Sequence, residues 1–221
     1  MTMETETGTP RERYRAQVRE EIKQHARTQI AEAGASALSL NAIAKRMGVS
    51  GPALYRYFAN RDELITALIT DGYRSLAEAL GERAEQGGDL PELARALRAW
   101  ALADPQRYFL LYGTPVPGYH APPETTELAA ATMSALLEAA ARHQQPPVDP
   151  GRADARLYSH LGGRNEWAGS RRATSLELRR ALAFWTRLHG VLSLELAGHF
   201  TGMGLDPELL YTAEAESLTR G

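Results

Sequence analysis

"LSLNAIAKRMGVSGPALYRYFANRDELITAL", Leu38 to Leu68, is the stretch on which the fold turns. Ser39 precedes a short run in which Leu40, Ile43, Ala44 and Met47 fall on one side of a helix, so its hydroxyl is the expected N-cap. Gly48 follows where a left-handed residue can end that helix. Ser50 is the next candidate cap, and Pro52 fits the first turn because its missing N–H has no intrahelical partner there. Asn60 and Glu63 have capping-box spacing for a further helix carrying Leu64, Ala67, Leu68 and Ile69. Two short helices joined by Gly48-Val49-Ser50 have the length and turn of a helix-turn-helix, whose second helix lies in a DNA major groove.

That assignment explains an odd composition. Leu54 and Phe58, four apart, are expected to clamp the second short helix against Ile43, Met47 and Val49. Its other side carries Gly51, Pro52, Ala53, Tyr55, Arg56 and Tyr57. Small residues let the backbone come close to DNA, while the Tyr55 and Tyr57 hydroxyls and the Arg61 guanidinium are placed to reach phosphate oxygens. Arg56 is suited either to a guanine edge or to phosphate.

The surroundings agree. The chain has 221 residues and a net charge of -2, but residues 10 to 74 hold 11 Arg or Lys against 7 Asp or Glu, whereas residues 75 to 221 hold 14 against 18. A basic front and an acidic rear suggest that only the front meets a polyanion. There is no cysteine, so neither disulfides nor thiolate metal sites contribute. No stretch approaches the roughly 18 continuous apolar residues of a membrane span, and the N-terminus lacks a signal core, so a cytoplasmic protein is expected. Residues 1–10 are expected to be a flexible arm. A first helix is predicted from Tyr14 to Ala33, with Val18, Ile22, Ala26 and Ile30 on one face and Gly34 as its stop. Beyond Gly72 the pattern stays helical, interrupted at residues 85–89, 114–124, 143–151, 161–166 and 201–208, with no alternating strand. The fold class is therefore all-α: a helix-turn-helix domain over 11–72 and a helical-bundle domain over 73–221.

Through the apolar first helix, Ile43-Ala44, Gly48-Val49-Ser50, Leu54-Tyr55, Tyr57-Phe58 and the charged start of the next helix, residues 12 to 72 resemble the N-terminal domain of the TetR (tetracycline-repressor-like) family of bacterial transcription regulators. The resemblance implies contacts to double-stranded DNA from Ser39 and Asn41 on the first short helix and from Ser50, Gly51, Pro52, Ala53 and Tyr55 on the second. Tyr57 and Arg61 would grip phosphates, and Asn60 beside them is counted among the DNA-binding residues. Ala42 stands where a capping glutamate or other polar residue is often found, and Ala59-Asn60-Arg61 replaces the usual lysine, which holds phosphate differently from arginine.

The rear sequence "FWTRLHGVLSLELAGHF", with Trp185 and His189-Gly190, resembles the family's C-terminal ligand-binding and dimerisation domain of the Trp-His-Gly type, as does "DPQRYFLLYGTPVPGYHAP". From composition, the pocket candidates are Trp100, Phe109, Tyr112, Tyr119, Trp167, Trp185 and His189, since small-molecule sites are mostly apolar with a few placed polar atoms. The helix expected from about Ser175 to Phe200 is apolar nearly all round, so one side should meet its own bundle and the other a twin subunit. Phe184, Val191 and Leu194, with Leu209 and Leu210 of the last helix, are the expected homodimer contacts. Glu195 and His199 have chelating spacing, with His189 or His160 as partners, but hydrogen bonding is the plainer use, and no metal or cofactor is expected. No phosphate-binding glycine loop, HExxH or GxSxG motif occurs, so no enzyme is expected. The expected function is a dimeric repressor on a palindromic operator, controlled by a small-molecule effector. The alternative is a chromosome-organising or division factor without an effector.

Overall fold

The computed structural model describes residues 9–142, 152–162 and 173–219. Among these the secondary structure is helical throughout, with no strand. The chain divides into two compact units, one running to Ile69 and taking in Thr114–His120, the other comprising Thr70–Gly113 and the residues from Ala121 onward.

The first unit opens with α1, Pro10–Ala33. Thr9 is its N-cap: the Glu12 amide donates to the Thr9 hydroxyl at 3.3 Å, and the Thr9 amide donates to the Glu12 carboxylate at 2.8 Å. The helix thus begins before Tyr14 and takes in Pro10, the end of the expected arm, because a reciprocal cap and a proline at the first position make a start the apolar period alone does not reveal. It stops at Gly34, φ 79°. A single 3₁₀ turn, Ala35–Ala37, leads to α2, Leu40–Arg46, and α3, Gly51–Tyr55. Ile22, Ala26 and Ile30 of α1 share a core with Leu38, Leu40, Ile43, Ala44, Leu54, Phe58, Leu64 and Ile65. Val49, expected inside, is 42% exposed. It follows Gly48, whose φ of 67° turns the chain outward at that point.

Helix α4, Arg61–Glu85, starts in the first unit and continues in the second. There α5 (Leu90–Ala103), α6 (Pro105–Tyr112), α7 (Pro123–Arg142), α8 (Arg152–Leu161), α9 (Ser175–Leu196) and α10 (Pro207–Ser217) form the bundle. Helix α9 packs against α5, α7, α8 and α10. Leu93, Leu97, Tyr108, Leu136, Leu137, Phe184, Leu188, Leu192 and Tyr211 are among its core residues. Phe184, expected at a subunit interface, is wholly enclosed by its own bundle, and Val191 is 9% exposed. A helix apolar on two strips does not say which strip faces inward, and here the bundle takes both of these residues. Helix α9 also ends at Leu196 instead of Phe200, with Gly198 in the left-handed region.

Glu195 is held by Arg98 of α5 at 2.7 and 3.3 Å, and Arg98 reaches Glu208 of α10 at 3.0 Å. This use of Glu195 is the plainer alternative to chelation with His199, which is exposed. Among the described residues no group of three or more His, Cys, Asp or Glu side chains could hold a metal ion, and no helix is long and apolar enough to cross a membrane.

Candidate nucleic-acid interface and aromatic cluster

Helix α3 is only five residues long and contributes Leu54 alone to the buried set, so its position depends on what closes its ends. At its start the Ala53 amide donates to the Ser50 hydroxyl at 3.4 Å; the Ala42 amide likewise meets Ser39 at the head of α2. Ser39 and Ser50 are therefore caps first. Asn41 is exposed, and its side-chain oxygen lies 3.3 Å from where a Cβ on Gly51 would stand, so the Asn41 amide and the head of α3 are close neighbours. Beyond Tyr55 the Leu54 carbonyl still accepts from the Tyr57 amide at 2.9 Å and the Phe58 amide at 3.3 Å, which fixes Phe58 in the core although α3 has ended.

The far end is gripped by two arginines of α1 that sequence reasoning did not single out. Arg15 donates to the carbonyl of Arg56 at 3.4 Å, and Arg19 donates to the carbonyl of Tyr57. The Arg19 guanidinium also lies 4.0 Å over the Phe58 ring and 3.6 Å from the Glu63 carboxylate. These partners stand 41 and 38 residues apart in sequence, so no local signal announces them. Cations placed on the last carbonyls of a short helix satisfy acceptors that have no intrahelical donor.

With both ends fixed, the outward groups can be placed. Pro52, Tyr55 and Arg56 are exposed, Gly51, Ala53 and Tyr57 partly so. Asn60 serves α4: the Glu63 amide donates to its side-chain oxygen at 2.8 Å, while the Glu63 carboxylate accepts from Ala59 at 2.6 Å, one residue earlier than a standard capping box. Arg61, expected on phosphate, donates from one guanidinium nitrogen to the carbonyls of Ala35 and Ser36 at 2.8 and 3.4 Å, sharing the Ala35 oxygen with the Leu38 amide of the 3₁₀ turn at 3.3 Å. Among the described residues, the side chains of Lys45 and Arg56 have no hydrogen bond or ion pair, and both are exposed. Lys45 was legible only as a cation in the last turn of α2. The unit thus offers two uncommitted cations and the Tyr55 hydroxyl beside a braced five-residue helix, a surface suited to phosphate contacts and a groove.

The second unit gathers a different set. Tyr108, fully buried, has its hydroxyl 2.8 Å from the Ser193 hydroxyl, 3.0 Å from His189 Nδ1 and 3.3 Å from the His189 carbonyl. His189 lies against Trp185 and Tyr112 with ring centroids 4.1 and 4.4 Å apart, and Tyr112 meets Trp185 at 5.5 Å and Tyr73 at 6.1 Å. The Nε2 of His189 and the hydroxyl of Tyr112 are both buried without a hydrogen-bond partner. Burial holds the His189 imidazole down at about 4, from 6.5, and pushes the Tyr112 phenol well above its usual range.

Of the expected pocket residues, Tyr112, Trp185 and His189 come together here. Phe109 packs on the same core and touches Tyr108 edge-on at 5.6 Å. Trp100 is buried elsewhere in this unit, its indole N–H donating to Ser75 at 2.9 Å and its ring under the Arg107 guanidinium at 4.4 Å. Tyr119 belongs to the first unit, where its hydroxyl meets that of Thr66 at 3.2 Å, because the 114–120 segment packs with that unit. Trp167 lies outside the described residues. Tyr108 and Tyr73 were missed; the four-residue spacing of Tyr108 and Tyr112 was the available signal.

Comparison with known proteins bears on both units. Residues 22–68 match the family model described as bacterial regulatory proteins, tetR family, and residues 90–218 match that of a tetracyclin repressor-like C-terminal domain. The HTH-type transcriptional regulator Rv1816 of Mycobacterium tuberculosis is 33% identical over 224 residues, covering 92% of each chain. The crystal structure of the regulatory protein SCO4313 is 62% identical, covers 96% of this chain and 100% of its own, and superposes with a TM-score of 0.86. A transcriptional regulator of the TetR/AcrR family from Thermobifida fusca shares the fold at 18% identity, with a TM-score of 0.55 over 93% of this chain and 98% of that one.

Proposed function

Because the chain belongs to the TetR family of bacterial regulatory proteins, and is thus a DNA-binding transcriptional regulator, we propose that it is a cytoplasmic, non-enzymatic repressor. In this reading a homodimer sits on a palindromic operator and is controlled by a small-molecule effector in the second unit. The observation that carries the DNA half is the braced α3 with Tyr55, Arg56 and Lys45 uncommitted around it. Lys45, Arg56 and the Tyr55 and Tyr57 hydroxyls take phosphates, with Asn41 and the small residues Gly51, Pro52 and Ala53 nearest the bases. Ser39, Ser50 and Asn60 act through their caps, and Arg61 by holding the 3₁₀ turn to α4.

The dimer rests on apolar residues left outside the bundle, Leu194 at 44% and Leu209 at 67% exposure, and on the exposed part of Leu210, which also packs against the bundle core. An isologous pairing through them presents two reading helices to half-sites about one helical turn apart. The effector half rests on the cluster of Tyr112, Trp185 and His189. An effector that favours a state mismatched to the half-sites is itself weakened by operator to the same degree.

Light scattering should give a dimer, and anisotropy on a palindromic fragment from beside the gene should give one dimer per site, with Tyr55→Phe combined with Lys45→Ala weakening it. A monomer at operator-saturating concentration, or affinity unchanged in the double variant, removes the reading. Many dispersed genomic sites in place of one palindrome would favour the chromosome-organising alternative.

A further inference from the structure

We propose that the tips of Tyr112 and His189 receive the hydroxyl group of an uncharged, otherwise apolar small molecule seated against the aromatic rings of Tyr73, Tyr108 and Trp185; this rests on the effector reading above. The network is built from one side and left open on the other. Ser193, Tyr108 and His189 Nδ1 form a continuous chain of contacts at 2.8 and 3.0 Å that fixes the imidazole. Its opposite nitrogen, Nε2, and the neighbouring Tyr112 hydroxyl are the two groups the chain does not satisfy. A buried polar atom without a partner carries a desolvation penalty, so two of them on rings in contact mark a place where a polar atom from outside is favoured.

The chemistry of that atom follows from the two groups together. If Nδ1 holds the imidazole proton, Nε2 is a bare acceptor; if Tyr108 donates to Nδ1, Nε2 is a donor. A ligand hydroxyl has one hydrogen and two lone pairs, so it complements Nε2 in either tautomer while accepting from or donating to Tyr112. A carboxylate only accepts, and it would bring a charge into surroundings that already hold His189 neutral. The apolar remainder of the ligand matches the rings of Trp185 and Tyr73, which contact Tyr112 at 5.5 and 6.1 Å.

Three probes of one shape separate the possibilities: p-cresol, toluene and 4-methylbenzoate, titrated calorimetrically into the full chain. The expected result is p-cresol tighter than toluene by about tenfold, the size of one net hydrogen bond, with 4-methylbenzoate weakest. In Tyr112→Phe that preference should shrink, since only His189 Nε2 is left to meet the ligand hydroxyl, while the melting temperature of the unliganded protein holds or rises, since no partner is lost. In the unaltered protein, ¹⁵N NMR should show p-cresol moving the His189 Nε2 resonance more than Nδ1, a readout independent of how any variant folds. Toluene equal to p-cresol, 4-methylbenzoate tighter than both, no binding by any probe, or a preference undiminished in Tyr112→Phe overturns the inference. The effector reading fails by a different measurement: operator affinity that stays fixed while a bound probe saturates the protein.

Discussion

The two short stretches that carry function are built in opposite senses. Helix α3 points its polar groups outward and is held by its ends: Ser50 at the start, Arg15 and Arg19 at the finish, Leu54 and Phe58 beneath. The Tyr108–His189 cluster turns its polar groups inward, inside a bundle whose helices have ample apolar burial of their own. Water satisfies the outward groups when nothing is bound, so an empty DNA surface costs the fold little. Nothing among the described residues satisfies His189 Nε2 or the Tyr112 hydroxyl, so that unit bears a penalty until a partner arrives. One site is maintained by bracing the backbone, the other by surplus packing.

The sharpest way to break this contrast is Leu54→Ala. Leu54 is 1% exposed and is the only buried side chain within α3. Its truncation should cost about 3 kcal/mol in urea unfolding and abolish DNA binding. A loss under 1 kcal/mol would mean that the end clamps alone hold the helix.

Next is the acid response of the rear cluster. The folded His189 titrates at about 4 against 6.5 for the free side chain, so between those values the unfolded chain binds more protons and stability falls as pH falls. The contribution is fully present above pH 6.5, and about 3 kcal/mol of it is lost by pH 4. His189→Phe should flatten that part of the stability profile. A slope unchanged in the variant would place the acid sensitivity elsewhere.

A smaller effect tests the turn. Gly48 sits at φ 67° with open space around its Cβ position, so Gly48→Ala meets conformational strain without a clash and should cost about 1 kcal/mol by thermal unfolding. The smallest is Lys45→Ala. Its stability should be unchanged within about 0.5 kcal/mol, while the slope of log affinity against log salt should drop by about 1 per half-site. An unaltered slope would take Lys45 off the phosphates.

What the sequence made legible was local. Ser39, Gly48, Ser50 and Gly34 each do the job their residue type implies within three or four positions. What it hid was long range or two-valued. The Arg15 and Arg19 clamps join segments about forty residues apart. The second use of Arg61, on the carbonyls of Ala35 and Ser36 some 25 residues away, cannot be seen in a string of letters. Phe184 was equally consistent with a bundle core and a subunit contact, since both bury apolar surface. Tyr119 illustrates the same ambiguity between units: an aromatic in a connecting segment does not declare which core it joins.

The arginine clamp on α3 grips peptide oxygens, which every amino acid supplies, and asks nothing of the side chain at position 56. The outward letters of the reader are thereby decoupled from what secures it. The strength of the grip on the DNA backbone should be adjustable by exchanging residue 56 and its exposed neighbour Tyr55 in combinatorial libraries with little loss of folded protein, making this domain a ready chassis for graded promoter occupancy.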